Sequence, residues 1–86
     1  MTNILIYTKE YCGPCQRAKQ LLQRKGAIFT EIDVTNSEKL QQEMVRKTKR
    51  MTVPQIFINV KHIGGCDDLY ALEEAGKLDL LLKNKK

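Results

Sequence analysis

Ile4-Leu5-Ile6-Tyr7-Thr8, then Lys9-Glu10-Tyr11, then Cys12-Gly13-Pro14-Cys15, then Gln16-Arg17-Ala18-Lys19 is the stretch that decides this chain. The first run, apolar with β-branched and aromatic members, reads as a buried strand. A helix-compatible run follows the second cysteine. Cys-x-x-Cys at the joint between a strand and a helix reads as a dithiol redox site. The helix start is where that chemistry needs a sulfur. Free N–H groups and the positive end of the helix dipole stabilise a thiolate there and make a nucleophile near neutral pH.

Outward from that joint, Asn3 to Thr8 is the predicted first strand and Cys12 to Lys25 the first helix. Ala18, Leu21 and Leu22 share one face of that helix, and Gly26 stops it. Ile28 to Asp33 alternates, Ile28, Thr30 and Ile32 against Phe29, Glu31 and Val34, and predicts a second strand. Ser37 caps a second helix carrying Leu40, Met44 and Val45 and ending near Thr48. Gln55 to Val60 predicts a third strand. Asn59-Val60-Lys61-His62 turns it back into a short strand reaching Ile63. Gly64-Gly65 breaks the chain, Asp67 or Asp68 caps a third helix, and Gly76 ends it. Leu78 to Leu82 forms a last helical segment. The order β-α-β-α-β-β-α predicts an α/β fold, a mixed sheet flanked by helices. Its first two strands are parallel through a right-handed crossover, and its last two form a hairpin. Ligand sites favour the carboxyl ends of such strands, and Cys12 lies just past the end of the first.

The 86 residues, 1–86, fit one small domain with one core. No basic segment leads into an apolar stretch at the N-terminus, so no secretory signal is legible. No apolar run approaches the ~20 residues of a membrane helix. The expectation is a cytoplasmic monomer with no membrane partner. The 3 cysteines cannot complete a disulfide framework, so a close pair reads as catalytic or metal-binding. The net charge of +5 comes largely from Arg46, Lys47, Lys49, Arg50 and the tail Lys83-Asn84-Lys85-Lys86. Solvated helix ends and a frayed tail account for it in the ordinary way, and attraction for an anionic substrate is the alternative. No aromatic–basic interleaving accompanies the charge, so no nucleic-acid partner is expected.

Cys12 is the expected nucleophile, at the extreme helix start and the more exposed sulfur. Cys15, one turn further in, is the expected resolving thiol. Cys12 attacks a disulfide to form a mixed disulfide, which Cys15 resolves. Pro14 presets a helical φ where a lost N–H costs little, and Gly13 allows a tight turn and the approach of a substrate backbone. Thr52-Val53-Pro54 is either an ordinary strand start or a docking edge. The residue before a proline is held extended, so Val53 is able to offer its N–H and C=O to a peptide-like ligand. In Gly64-Gly65-Cys66-Asp67-Asp68 a loop and helix cap is the simple reading. The same glycines and free N–H groups also suit a carboxylate, and Asp67 an ammonium group. Lys9 is either a solvated loop lysine or a cation beside the dithiol.

These blocks together, Ile6-Tyr7-Thr8-Lys9 with Cys12-x-x-Cys15, Thr52-Val53-Pro54-Gln55-Ile56-Phe57-Ile58 and Ile63-Gly64-Gly65-Cys66-Asp67-Asp68-Leu69, resemble the glutaredoxins of the small bacterial dithiol type over nearly the whole chain. The resemblance implies a thioredoxin fold with a cis Val53–Pro54 bond. It implies glutathione as reducing co-substrate, and glutathionylated or disulfide-containing proteins as partners. It places Lys9 on a carboxylate, Val53 on the tripeptide backbone, and Thr52 and Pro54 along the groove. Gly65, Cys66 and Asp67 receive the γ-glutamyl end, and Gln41 matches a position that touches the glycine carboxylate. The chain departs from the family at the centre. The usual pair of intervening residues is Pro-Tyr, whereas Gly13-Pro14 is the thioredoxin dipeptide. The tyrosine wall beside the glutathione sulfur is missing, and Tyr11 is the nearby aromatic that stands in for it. The dipeptide implies a more reducing couple, since thioredoxin sits near about −270 mV and glutaredoxins near about −200 to −230 mV. A thioredoxin fed by thioredoxin reductase is the alternative, but its flanking Trp is absent here.

Two rivals involve metal. Some glutaredoxins bridge an iron–sulfur cluster between protomers through the first cysteine and glutathione, which Gly13 permits and Pro14 stiffens against; dithiol exchange is the reading preferred to it. Cys12, Cys15, His62 and Cys66 have zinc-like spacing, but His62 is expected in an exposed turn, and no metal site is expected. Cys66 is expected to be a packed residue beside the groove, with an oxidisable auxiliary thiol as the lesser reading.

Overall fold

Strand β1 (Ile4–Thr8) is buried along almost its whole length, so it belongs in the interior of a sheet. The structure, a computed structural model, describes residues 3–83. Four strands form one sheet in the order β2-β1-β3-β4. β2 (Thr30–Asp33) runs parallel to β1, with Leu5 opposite Thr30 and Thr8 opposite Asp33. β3 (Gln55–Ile58) runs antiparallel on the other side, Ile6 opposite Ile56, and β4 (Lys61–Gly64) pairs antiparallel with β3. The predicted mixed sheet and thioredoxin fold are what the chain adopts.

Alternation along the strands divides the core. Ile4, Ile6, Ile56 and Ile58 face α1 (Gly13–Arg24), α3 (Cys66–Glu74) and α4 (Leu78–Lys83), packing on Ala18, Leu21, Leu22, Leu69 and Leu78. Tyr7, Leu5 and Phe57 face α2 (Glu38–Thr48), meeting Met44, Leu40 and Val34. Lys25, at the end of α1, bridges Glu73 at 2.8 Å and Asp79 at 3.0 Å, so one ammonium ties three helices. Among the described residues no helix is long and apolar enough to cross a membrane.

Several boundaries move. Cys12 caps α1 rather than opening it. β2 begins at Thr30, and Ile28, expected in it, is 84% exposed. The chain there is still leaving α1, with Gly26 left-handed and the Ala27 N–H bonded to the Leu22 carbonyl. β3 stops at Ile58, because Asn59 and Val60 take φ of 52° and 62° and make the hairpin turn by themselves. The cap of α3 is Gly65, not Asp67 or Asp68. Asp68 serves the same helix end from inside its first turn, accepting the Gly65 N–H at 2.9 Å. The expected frayed tail falls mostly on residues 84–86, which lie outside the described residues.

Candidate active site

The chain leaves β1 and turns sharply at Tyr11, whose φ is 55°. The left-handed residue is thus Tyr11, not Gly13, which is already the first helical position. Cys12 is extended and caps α1 with its sulfur, which accepts the Cys15 N–H at 3.2 Å. Its sulfur also stands 3.9 Å from the Val53 carbonyl oxygen. Cys12 is half-buried, while Cys15 is 0% exposed. Burial, and then the hydrogen bond with Cys12, push the Cys15 thiol up to about 12, a backbone hydrogen bond from Lys9 only partly opposing them. One sulfur is therefore reachable and faces a helix-start N–H, and its neighbour is held protonated beneath it.

A groove of about 300 Å³ opens beside this turn. Thr52, Val53 and Pro54 form one wall, and Gly65, Cys66 and Asp67 another, so the two predicted blocks meet. The Val53–Pro54 bond is cis, as the resemblance implies. The two walls close tightly at Gly65, where a Cβ would stand 3.3 Å from the Pro54 carbonyl oxygen. Cys66 is 5% exposed and packs in the core below the groove.

Other expected residues fall elsewhere. Lys9 is half-buried and touches the dithiol through its backbone rather than lining the groove. Gln41 donates its amide to the Val34 carbonyl at 2.9 Å and borders a separate hollow with Glu38 and Met51. Tyr11 is 100% exposed and is no wall of the groove. His62 is not in an exposed turn: it sits half-buried in β4, against Phe57 and 2.8 Å from the Gln55 carboxamide oxygen. Among the described residues no three His, Cys, Asp or Glu come together to hold a metal ion, so the zinc-like spacing is not gathered in space.

Arg17, Arg50 and Asp68 also line the groove, and sequence reasoning passed them over as groove residues. Arg17 follows Pro14 by one helical step on the same face, a signal that was available. Arg50 was counted in the solvated basic run, yet it meets Asp68 at 3.2 Å. The Gly65 N–H, and then Arg50, hold the Asp68 carboxyl below the usual carboxylate range.

A dithiol whose attacking sulfur caps a helix, opposite an extended X–Pro segment on a thioredoxin fold, defines a thiol–disulfide oxidoreductase. Comparison with known proteins narrows the class. The family model described as Glutaredoxin matches residues 4–63. Glutaredoxin 3 of Escherichia coli (strain K12) is 54% identical over 83 residues, covering 96% of this chain and 100% of that one. Among solved structures, the glutaredoxin of Brucella melitensis is 56% identical with a TM-score of 0.87, covering 100% of this chain and 94% of that one. A buckwheat glutaredoxin–glutathione complex is 35% identical with a TM-score of 0.85, covering 94% and 76%. The chain belongs to the glutaredoxin family.

Proposed function

We propose that this oxidoreductase draws its electrons from glutathione and reduces glutathione mixed disulfides and protein disulfides. The Cys12 thiolate attacks a disulfide sulfur, one new S–S bond forms, and the substrate leaves as a thiolate. From a mixed disulfide, Cys12 takes up the glutathionyl group, and a second glutathione thiolate releases it as glutathione disulfide. From a protein disulfide, Cys15 gives its proton to the departing thiolate and attacks Cys12. The resulting Cys12–Cys15 disulfide is reduced by two glutathiones.

The observation that carries this reading is the groove, where the Thr52-Val53-Pro54 wall stands against Cys12. Val53 presents a backbone N–H that no other described residue takes, which suits the backbone of a short peptide. Gly65, Cys66 and Asp67, at the start of α3, suit its amino-acid end, where a carboxylate meets helix N–H groups and Asp67 meets the ammonium. Lys9 serves a carboxylate from outside the groove. The buckwheat relative, solved with glutathione, supports the same choice of ligand.

A second reading, in which Cys12 and glutathione from two protomers ligate an iron–sulfur cluster, is favoured only by the open space around Gly13. Visible absorption after anaerobic reconstitution tests it.

The deciding experiment is a glutathione-coupled assay on a small glutathione mixed disulfide and on a protein disulfide. Cys12→Ser is expected to lose both activities. Cys15→Ser is expected to keep the first and lose the second. Activity surviving in Cys12→Ser overturns the assignment.

A further inference from the structure

Gln55 is a fully buried polar residue at the start of β3, directly after the Pro54 of the groove wall. Its carboxamide nitrogen donates to the Thr52 carbonyl at 3.0 Å and to the Thr52 hydroxyl at 3.2 Å. A backbone carbonyl only accepts, so the amide has to turn its NH2 toward Thr52. That leaves its oxygen facing the His62 ring nitrogen at 2.8 Å. Only a ring N–H satisfies that oxygen, so Nε2 carries the proton. The imidazole is braced by Phe57, with ring centroids 5.1 Å apart. A continuous relay therefore runs His62 to Gln55 to Thr52, ending one residue from the Val53 carbonyl that faces Cys12. Without the His62 donor the buried carboxamide loses the partner that fixes its orientation, and an unsatisfied buried oxygen favours a rotated amide.

We propose that His62 and Gln55 are positioning residues for the exchange reaction: His62 orients the Gln55 amide, and Gln55 holds the Thr52-Val53 edge in register with Cys12. This rests on the reading that this edge receives the substrate backbone. The donor exists both in the neutral Nε2–H form and in the imidazolium, so the relay does not switch with pH. The hydroxyl of Thr52, with a lone pair taken by Gln55, keeps its own proton for the groove it lines.

Two measurements test the proposal. In the reduced wild-type protein near neutral pH, long-range 1H–15N correlations of His62 are expected to show the Nε2-protonated pattern. An Nδ1–H pattern overturns the relay. In kinetics, His62→Phe keeps a ring beside Phe57 and removes the donor. It is expected to raise KM for a glutathionylated peptide about fivefold, the effect of about one net hydrogen bond, with kcat within about twofold. Ile58→Val, a core change at the far end of β3, is the control for lost stability and is expected to leave KM unchanged. An unchanged KM in His62→Phe, or an equal rise in Ile58→Val, overturns the positioning role. If the wild type fails to turn over the glutathionylated peptide, the glutathione reading fails, and the His62 spectrum still judges the relay.

Discussion

The amide N–H of Cys15 points at the sulfur of Cys12 from 3.2 Å. The same helical turn that hands Cys12 a donor seals Cys15 in the core. A reachable nucleophile and a buried, protonated reserve thiol thus come from one short segment. Reduced, folded protein is expected to take up one alkyl group from iodoacetamide at about pH 8, where a thiolate is needed for reaction. Denatured protein is expected to take up all 3. Mass spectrometry reads the result, and comparable labelling of Cys15 or Cys66 in the folded protein contradicts it.

Stability at alkaline pH follows from the same burial. The Cys15 thiol is raised from 9.0 to about 12 on folding. Between those values the unfolded chain has released the proton and the native one still holds it. Unfolding is then linked to proton release, so stability falls as pH rises through this window. Cys15→Ser removes that contribution. Chemical denaturation across the window is expected to show a shallower decline in the variant, and parallel curves refute the assignment.

The dipeptide Gly13-Pro14 sits in the first turn of α1, between the sulfurs, with open space around Gly13. Equilibration with a glutathione buffer is expected to place the couple below the usual glutaredoxin range of about −200 to −230 mV. Converting both positions, Gly13→Pro with Pro14→Tyr, is expected to raise it by about 40–70 mV. A wild-type potential at or above that range sinks the idea.

Val60 is 88% exposed and left-handed at φ 62°, in a turn whose second position suits glycine. A β-branched side chain there is strained, and little burial is at stake. Val60→Gly is expected to stabilise the fold by about 0.5–1 kcal/mol, after glycine's own entropy cost. Thermal unfolding measures this as a rise of a few degrees, and a fall in Tm counts against it.

The fold was legible where periodicity and chemistry agreed. Ile4 to Thr8 and the face of Ala18, Leu21 and Leu22 read correctly because burial imposes their spacing. Ile28 misled because an apolar side chain says nothing about whether the chain has yet left the preceding helix. In the site, Thr52 to Pro54 and Gly65 to Asp67 were legible as motifs, since each is local. Arg50 and Asp68 were not, because their pairing depends on how the segment after α2 meets α3. The partnership of Gln55 and His62 was invisible for the same reason. It depends on the shifted register of β3 against β4, which places Phe57 opposite His62.

Of the three cysteines, Cys15 has no exposed surface and Cys66 only 5%. Traffic through this molecule is therefore single-file. Electrons stored on two sulfur atoms enter and leave by one doorway. Oxidised clients and the reductant must take turns there, so an excess of either delays the other even when they never meet.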